Sequence, residues 1–205
     1  GSNGNDSLLL ASNVQLRGFG NGVGGGAGSG SAPIVIALTV PSTILLSGGS
    51  SVSIADPTGN GAATLTSAMG ANVITLGATG NHLSGFILDG AAGTVARGIK
   101  DNGTGAANTL LDYLTVRDFM TMGIEITPST NTTIDHVAFS GNVNGNVLLN
   151  AANSVLSNII SSGGGFILNN PTGTTTLTNL SLSGGGFGLN FTNAAGTING
   201  TNGDI

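Results

Sequence analysis

The residues able to carry chemistry crowd into one part of the chain. Between positions 82 and 136 lie both histidines, the single Tyr, three of the four basic residues and six of the nine acids, whereas 137–203 hold no charged residue. Two of the acids, Asp112 and Asp135, occupy the same place in two similar stretches, 108–116 and 131–139, and each is followed by a ring-bearing residue, Tyr113 or His136. Two carboxylates stacked on one another repel, which raises the pKa of one and makes it a general acid. Alternatively they share a Ca2+ ion. An acid pair for glycoside hydrolysis and a calcium site are both open on these residues, so Asp112, Asp135, His136 and Tyr113 are the candidate binding residues. Removal of a metal-free, like-charged pair is expected to be neutral or slightly stabilising.

What must position these residues is a repeat. Segments 108–116, 131–139, 153–161 and 174–182 superpose without a gap, and their leading apolar residue recurs at Leu83, Leu111, Ile134, Leu156, Leu177 and Ile198. Further apolar residues follow three and five positions later, as in Leu114 with Val116 and Val137 with Phe139. The second spacing alternates as a strand does, while the first breaks the two-residue period, so a sharp bend separates two short strands. A third strand follows in each unit, at Ile124 with Ile126, Val147 with Leu149, Phe166 with Leu168 and Phe187 with Leu189. Three short strands per coil of about 21–23 residues describe an all-β chain, a right-handed parallel β-helix, stabilised by stacking because no coil buries its apolar face alone. Roughly eight rungs, each about 4.8 Å deep, make a rod near 40 Å long.

The reading extends to 1–205 as a single domain, with regular coils over 72–205 and irregular N-terminal coils over 3–71. Residues 12–18 and 42–48 look like related corners, and 18–32, with Gly24, Gly25 and Gly26, reads as a flexible excursion. In this frame Asp89 and Arg117 form a cross-rung ion pair, Glu125 sits on a solvated strand face and His82 is a lone corner residue. Asn158 stacks on Asn179 with amides bonded along the rod, and the hydroxyls of Thr174–Thr176 find only Ser154 and Val155 beside them, so no Thr ladder continues.

Composition removes several classes of partner. A net charge of -5 with four basic residues, one Tyr and no Trp offers neither a basic stripe nor stacking platforms, so nucleic acid is not expected. The longest apolar run, 34–40, is bracketed by Pro33 and Pro41, so membrane insertion by this segment is not expected either. Zero Cys removes disulfides and thiolate sites. Gly1-Ser2 reads as a cloning scar, and the chain ends in mid-pattern, as a fragment of a longer protein would.

Coils of the form Asn-x-x-Ile-x-x-Val-x-Phe followed by Gly-Ile-x-Leu resemble the pectin-lyase-like superfamily and, most, the passenger domains of bacterial autotransporter adhesins, well over 72–205 and loosely over 8–71. That fold serves polysaccharide lyases, glycoside hydrolases, phage tailspikes and inert stalks, so the resemblance implies architecture more than activity. Ile134-Asp135-His136 is similar to the Trp-Ile-Asp-His motif of pectate lyases, with Thr133 in place of the Trp. The Arg-x-Pro-x-x-Arg segment that supplies their base is missing, as are the Asn-Thr-Asp and Gly-His-Gly signatures of polygalacturonases. The expectation is therefore a non-catalytic passenger or stalk domain of an exported bacterial protein, secreted or at the cell surface. It would act by adhesion or display toward a cell-surface protein or glycan, without a cofactor unless Asp112 and Asp135 hold Ca2+. The alternative is a carbohydrate-active or sugar-binding β-helix that uses coils 82–136.

Overall fold

Gly, Ser and Asn corners around strands of alternating polarity leave one economical way to pair the backbone, which is to lay each coil on the previous one. The structure, a computed structural model, describes residues 63–67, 70–91, 93–184 and 188–204, preceded by the strands Leu8–Leu9, Val14–Arg17, Ile34–Ile36, Ser42–Leu45 and Ser51–Ile54. Among the described residues every regular element is a strand. Parallel strands stack into a β-solenoid of about 6 turns. One wall runs through Asn72–Leu76, Arg97–Asp101, Met122–Thr130, Gly145–Ala152, Phe166–Thr172 and Leu189–Thr192. Another runs through His82–Ser84, Leu110–Arg117, Thr133–Ser140, Val155–Ser162, Thr174–Ser183 and Thr197–Asp204.

Register turns the repeat into columns. Leu83, Leu111, Ile134, Leu156 and Leu177 are successive cross-rung partners, as are Leu114, Val137, Ile159 and Leu180. On the facing wall Ile74, Ile99, Ile124, Val147 and Phe166 line up in the same way. All of these side chains are buried, and each contributes roughly 1.5–3 kcal/mol by leaving water. Phe139 packs edge-on against Phe166, ring centres 5.4 Å apart, and so ties the walls together.

The bend inferred from the broken period is a single residue in the left-handed region. It is Tyr113 (φ 51°), His136 (51°), Asn158 (53°), Asn179 (53°) and Asn202 (52°), one above another. Gly85 (φ 79°) occupies the same column one coil earlier. Asn tolerates this conformation because its short amide bonds locally. The amides form a ladder, Asn179 Nδ2 donating to Asn158 Oδ1 at 2.9 Å and Asn202 Nδ2 to Asn179 Oδ1 at 3.2 Å. A second amide step, Asn131 Nδ2 to Asn108 Oδ1 at 2.9 Å, marks the corner before each strand. Beside that corner the next residue turns inward, so that Thr109, Thr132, Ser154 and Thr175 form a buried hydroxyl column.

Three expectations need correction. Leu177 pairs with Gly200, and Ile198 lies beside Thr175, so the last coil places glycines where the others carry large aliphatic residues. Phe166 pairs with Leu189 and Leu168 with Phe191, two positions beyond the expected frame. Ser162 still pairs with Ser183, which puts the two extra residues in the intervening segment; Phe187 itself lies outside the described residues. Ser42–Leu45 pairs antiparallel with Ser51–Ile54 and is not a coil strand, whereas Val14–Arg17 does join the solenoid, Leu16 beside Leu83. The Gly-rich stretch 18–32 is outside the described residues.

Phe139→Asp puts an unpaired carboxylate at a site only 3% exposed and is expected to cost several kcal/mol. Ile160→Asp, 66% exposed nearby in the coil stack, should stay within about 0.5 kcal/mol of the parent. Thermal melts followed by circular dichroism compare the two; equal melting temperatures would show that the register is wrong.

Candidate functional site

Leu110–Arg117 and Thr133–Ser140 are neighbours in register, with Asp112 opposite Asp135. The bend residues that follow them therefore meet, and the Tyr113 and His136 rings stack with centres 4.8 Å apart and 17° between planes. Of the four candidate residues, all are brought to this one face. The carboxylates are nonetheless turned to different partners. Asp112 is buried, its Oδ1 3.1 Å from Nε2 of His82, itself buried. Asp135 accepts from Ser157 Oγ at 2.6 Å and Asn158 Nδ2 at 2.8 Å, and its other oxygen meets His136 Nδ1 at 2.8 Å.

This geometry overturns two readings. His82 is not a lone corner residue but the partner of Asp112. The carboxylate stack also fails to raise the Asp135 pKa. Burial pushes that carboxyl upward, yet the hydrogen bonds from Ser157, Asn158 and His136, with the imidazole's charge, outweigh it and hold the group below the usual carboxylate range. Among the described residues no three His, Asp or Glu side chains come together as a metal-binding group.

Three further acids, Asp89, Glu125 and Asp101, are engaged as well. Arg117 Nη2 lies 2.7 Å from Asp89 Oδ2, the cross-rung pair read from the spacing. Glu125 does face outward, but Lys100 Nζ lies 2.5 Å from Oε1 and the Arg97 guanidinium bonds Oε2, so the bare solvated face is corrected to a three-residue ion cluster. Burial would raise the Glu125 pKa; the bonds and charges of Lys100 and Arg97 prevail and lower it. Asp101, 2% exposed, accepts from the backbone N–H of Gly103, Gly105 and Thr127 and so braces a loop. The signal for Glu125 was present, since Ile99 stacks under Ile124 and thereby sets Lys100 beside Glu125.

A groove of about 380 Å³ runs along the rod at this bend. Gly85, Tyr113, His136 and Asn158 form one side, Thr115, Ala138 and Ile160 the other, and Phe86, Leu114 and Val137 the floor. No carboxylate lines it. Comparisons of the chain with protein-family models, with curated proteins and with solved structures return no match.

Two outcomes follow from these contacts. Asp112→Ala with Asp135→Ala strips His82, Ser157 and Asn158 of their acceptor and should lower stability by about 2–4 kcal/mol, measured by denaturant melts, against the neutral effect expected for a merely repulsive pair. Because the folded-state values of Glu125 and Asp135 lie below the unfolded ones, their stabilisation is complete above the unfolded carboxylate pKa, near 4, and is lost as pH falls through the folded values. The melting temperature should therefore drop below about pH 4, and Glu125→Gln with Asp135→Asn should flatten that drop.

Proposed function

We propose that this chain is a non-catalytic binding and display rod, the role that passenger and stalk domains of exported bacterial surface proteins fill. One observation carries the reading: of the six acids between 82 and 136, Asp89, Asp101, Asp112, Glu125 and Asp135 are committed to contacts that hold coils or loops together, and the groove beside Tyr113 and His136 is lined by no carboxylate. Hydrolysis or elimination needs an acid, a base or a metal beside the scissile bond. Here five of the six acids between 82 and 136 serve as ties between coils. The repeated coil supports the same role, because it extends a surface while adding no new chemistry at each turn. The partner on this reading is a surface protein or glycan outside the cell.

A carbohydrate-active enzyme is the second reading, favoured by the His136 imidazole, which is oriented by Asp135 and borders the groove. Such an enzyme requires a second group across the scissile bond, and Asp112 is turned away to His82.

Reducing-sugar and unsaturated-product assays on a glycan panel that includes polygalacturonate, with and without Ca2+, separate the two. No turnover is expected. Turnover that disappears in His136→Ala would replace the display reading with the enzyme.

A further inference from the structure

We infer that the groove beside Tyr113 and His136 is a binding site for a neutral oligosaccharide, which adds a ligand class to the binding role proposed above and rests on that reading. The inference begins with the left-handed column. Asn fills it in three coils, yet here it carries a Tyr and a His at φ 51°, a conformation uncommon for bulky side chains and costly by about 1–3 kcal/mol. The ladder of amides is thereby replaced by a stack of rings whose one side contacts protein and whose other side does not. Below Tyr113 stands His136; on the opposite side the rung carries Gly85, which has no side chain to cover the phenol ring. Tyr113 is 40% exposed as a result.

An aromatic face set beside the exposed Ala138 and Ile160 side chains accepts the C–H face of a pyranose ring, which is weakly positive where the ring face is negative. The edge of a sugar needs hydrogen bonds, and the Tyr113 hydroxyl, the Thr115 hydroxyl and Nε2 of His136 border the groove without a partner among the described residues, Nδ1 of His136 being held by Asp135. A mostly apolar cleft with a few placed polar groups is the usual make-up of a small-ligand site. Gly85 to Asn158 spans three rung spacings, about 14 Å, so more than one sugar ring can lie along it.

Charge selects neutral over acidic sugars. The groove offers no Lys or Arg, and the chain carries net charge -5, so an anionic glycan meets no counter-ion and a repulsive field. A peptide strand is disfavoured for a different reason. Leu110–Arg117 and Thr133–Ser140 are paired on both sides, which leaves no free strand edge at the groove for an added strand.

The chain supplies its own probe: Tyr113 is the only Tyr and there is no Trp, so tyrosine emission reports this groove alone. The intact chain is titrated with cellohexaose, maltohexaose and xylohexaose, and with hexagalacturonate as the acidic arm. A saturable change with at least one neutral hexasaccharide is expected, weaker with hexagalacturonate. Gly85→Asn, which fills the space over the phenol ring, should weaken binding about tenfold or more. Tyr113→Asn, read by calorimetry, should do the same, and both variants keep a residue type native to this column, their folding being verified by melts. Silence toward every neutral hexasaccharide, unchanged binding in Gly85→Asn, or preference for hexagalacturonate would each overturn the inference. Turnover of a bound hexasaccharide would instead contradict the non-catalytic role while leaving the site in place; no binding and no turnover would sink the ligand assignment alone.

Discussion

A strand in this solenoid has hydrogen-bonding groups along both edges, and the only partners within reach are the coil before it and the coil after it. Leaving those groups unpaired inside a folded chain costs as much as a lost hydrogen bond each, so successive coils must match residue for residue. The parallel ladders run with little interruption from His82–Ser84 to Thr197–Asp204, with register shifts confined to the other wall, near Ile126/Ser129 and Asn150/Ala152. Every side chain then has a neighbour of equivalent position about 4.8 Å away on either side. Aliphatic residues profit from this in the core columns, and amides profit in the Asn ladders. Charges do not, and the chain answers with few of them; Asp89, Asp101, Asp112, Glu125 and Asp135 are held by an opposite charge, an imidazole or backbone N–H groups.

The left-handed column is the second consequence. A coil has to turn between its strands, and one residue at positive φ makes that turn while its neighbours stay in register on both sides. The bend gives the outer surface an angle, and the groove lies in that angle. What occupies the column decides what the groove offers. With Asn158, Asn179 and Asn202 the side chains satisfy one another along the rod. With Gly85, Tyr113 and His136 the ladder is interrupted, and polar and aromatic surface is left for something outside the chain.

Much of this was legible in the residues themselves. The columns through Leu111, Ile134, Leu156 and Leu177, the bend after Asp112 and Asp135, the Asp89–Arg117 pair and the Asn158–Asn179 step all follow from apolar spacing once the coils are aligned, because register is translational and a spacing of one coil, 21–28 residues here, maps directly onto a neighbour. Legibility failed where the mapping is not translational. His82 reaches Asp112 on a diagonal, from beside Leu110, and a diagonal contact depends on rotamers that spacing does not specify. The expected repulsion between Asp112 and Asp135 ignored donors one residue to the side and one rung on, Asn158 and Ser157 among them. The error at Ile198 came from choosing the apolar residue over Gly200, although pairing across Thr174–Ser183 is set by the backbone and accepts a glycine in a core column.

The central claim is that a left-handed residue at the same bend of each coil, in register, brings Tyr113 onto His136 and leaves its other face open over Gly85. Solution NMR tests this directly, through the intraresidue amide-to-Hα contacts and couplings that mark positive φ and through ring-to-ring contacts in the aromatic region. The account predicts positive φ at Tyr113, His136, Asn158, Asn179 and Asn202, with contacts between the Tyr113 and His136 rings and from the Tyr113 ring to the Gly85 Hα protons. Extended φ values at these five positions, or a Tyr113 ring with contacts to neither His136 nor Gly85, would contradict it.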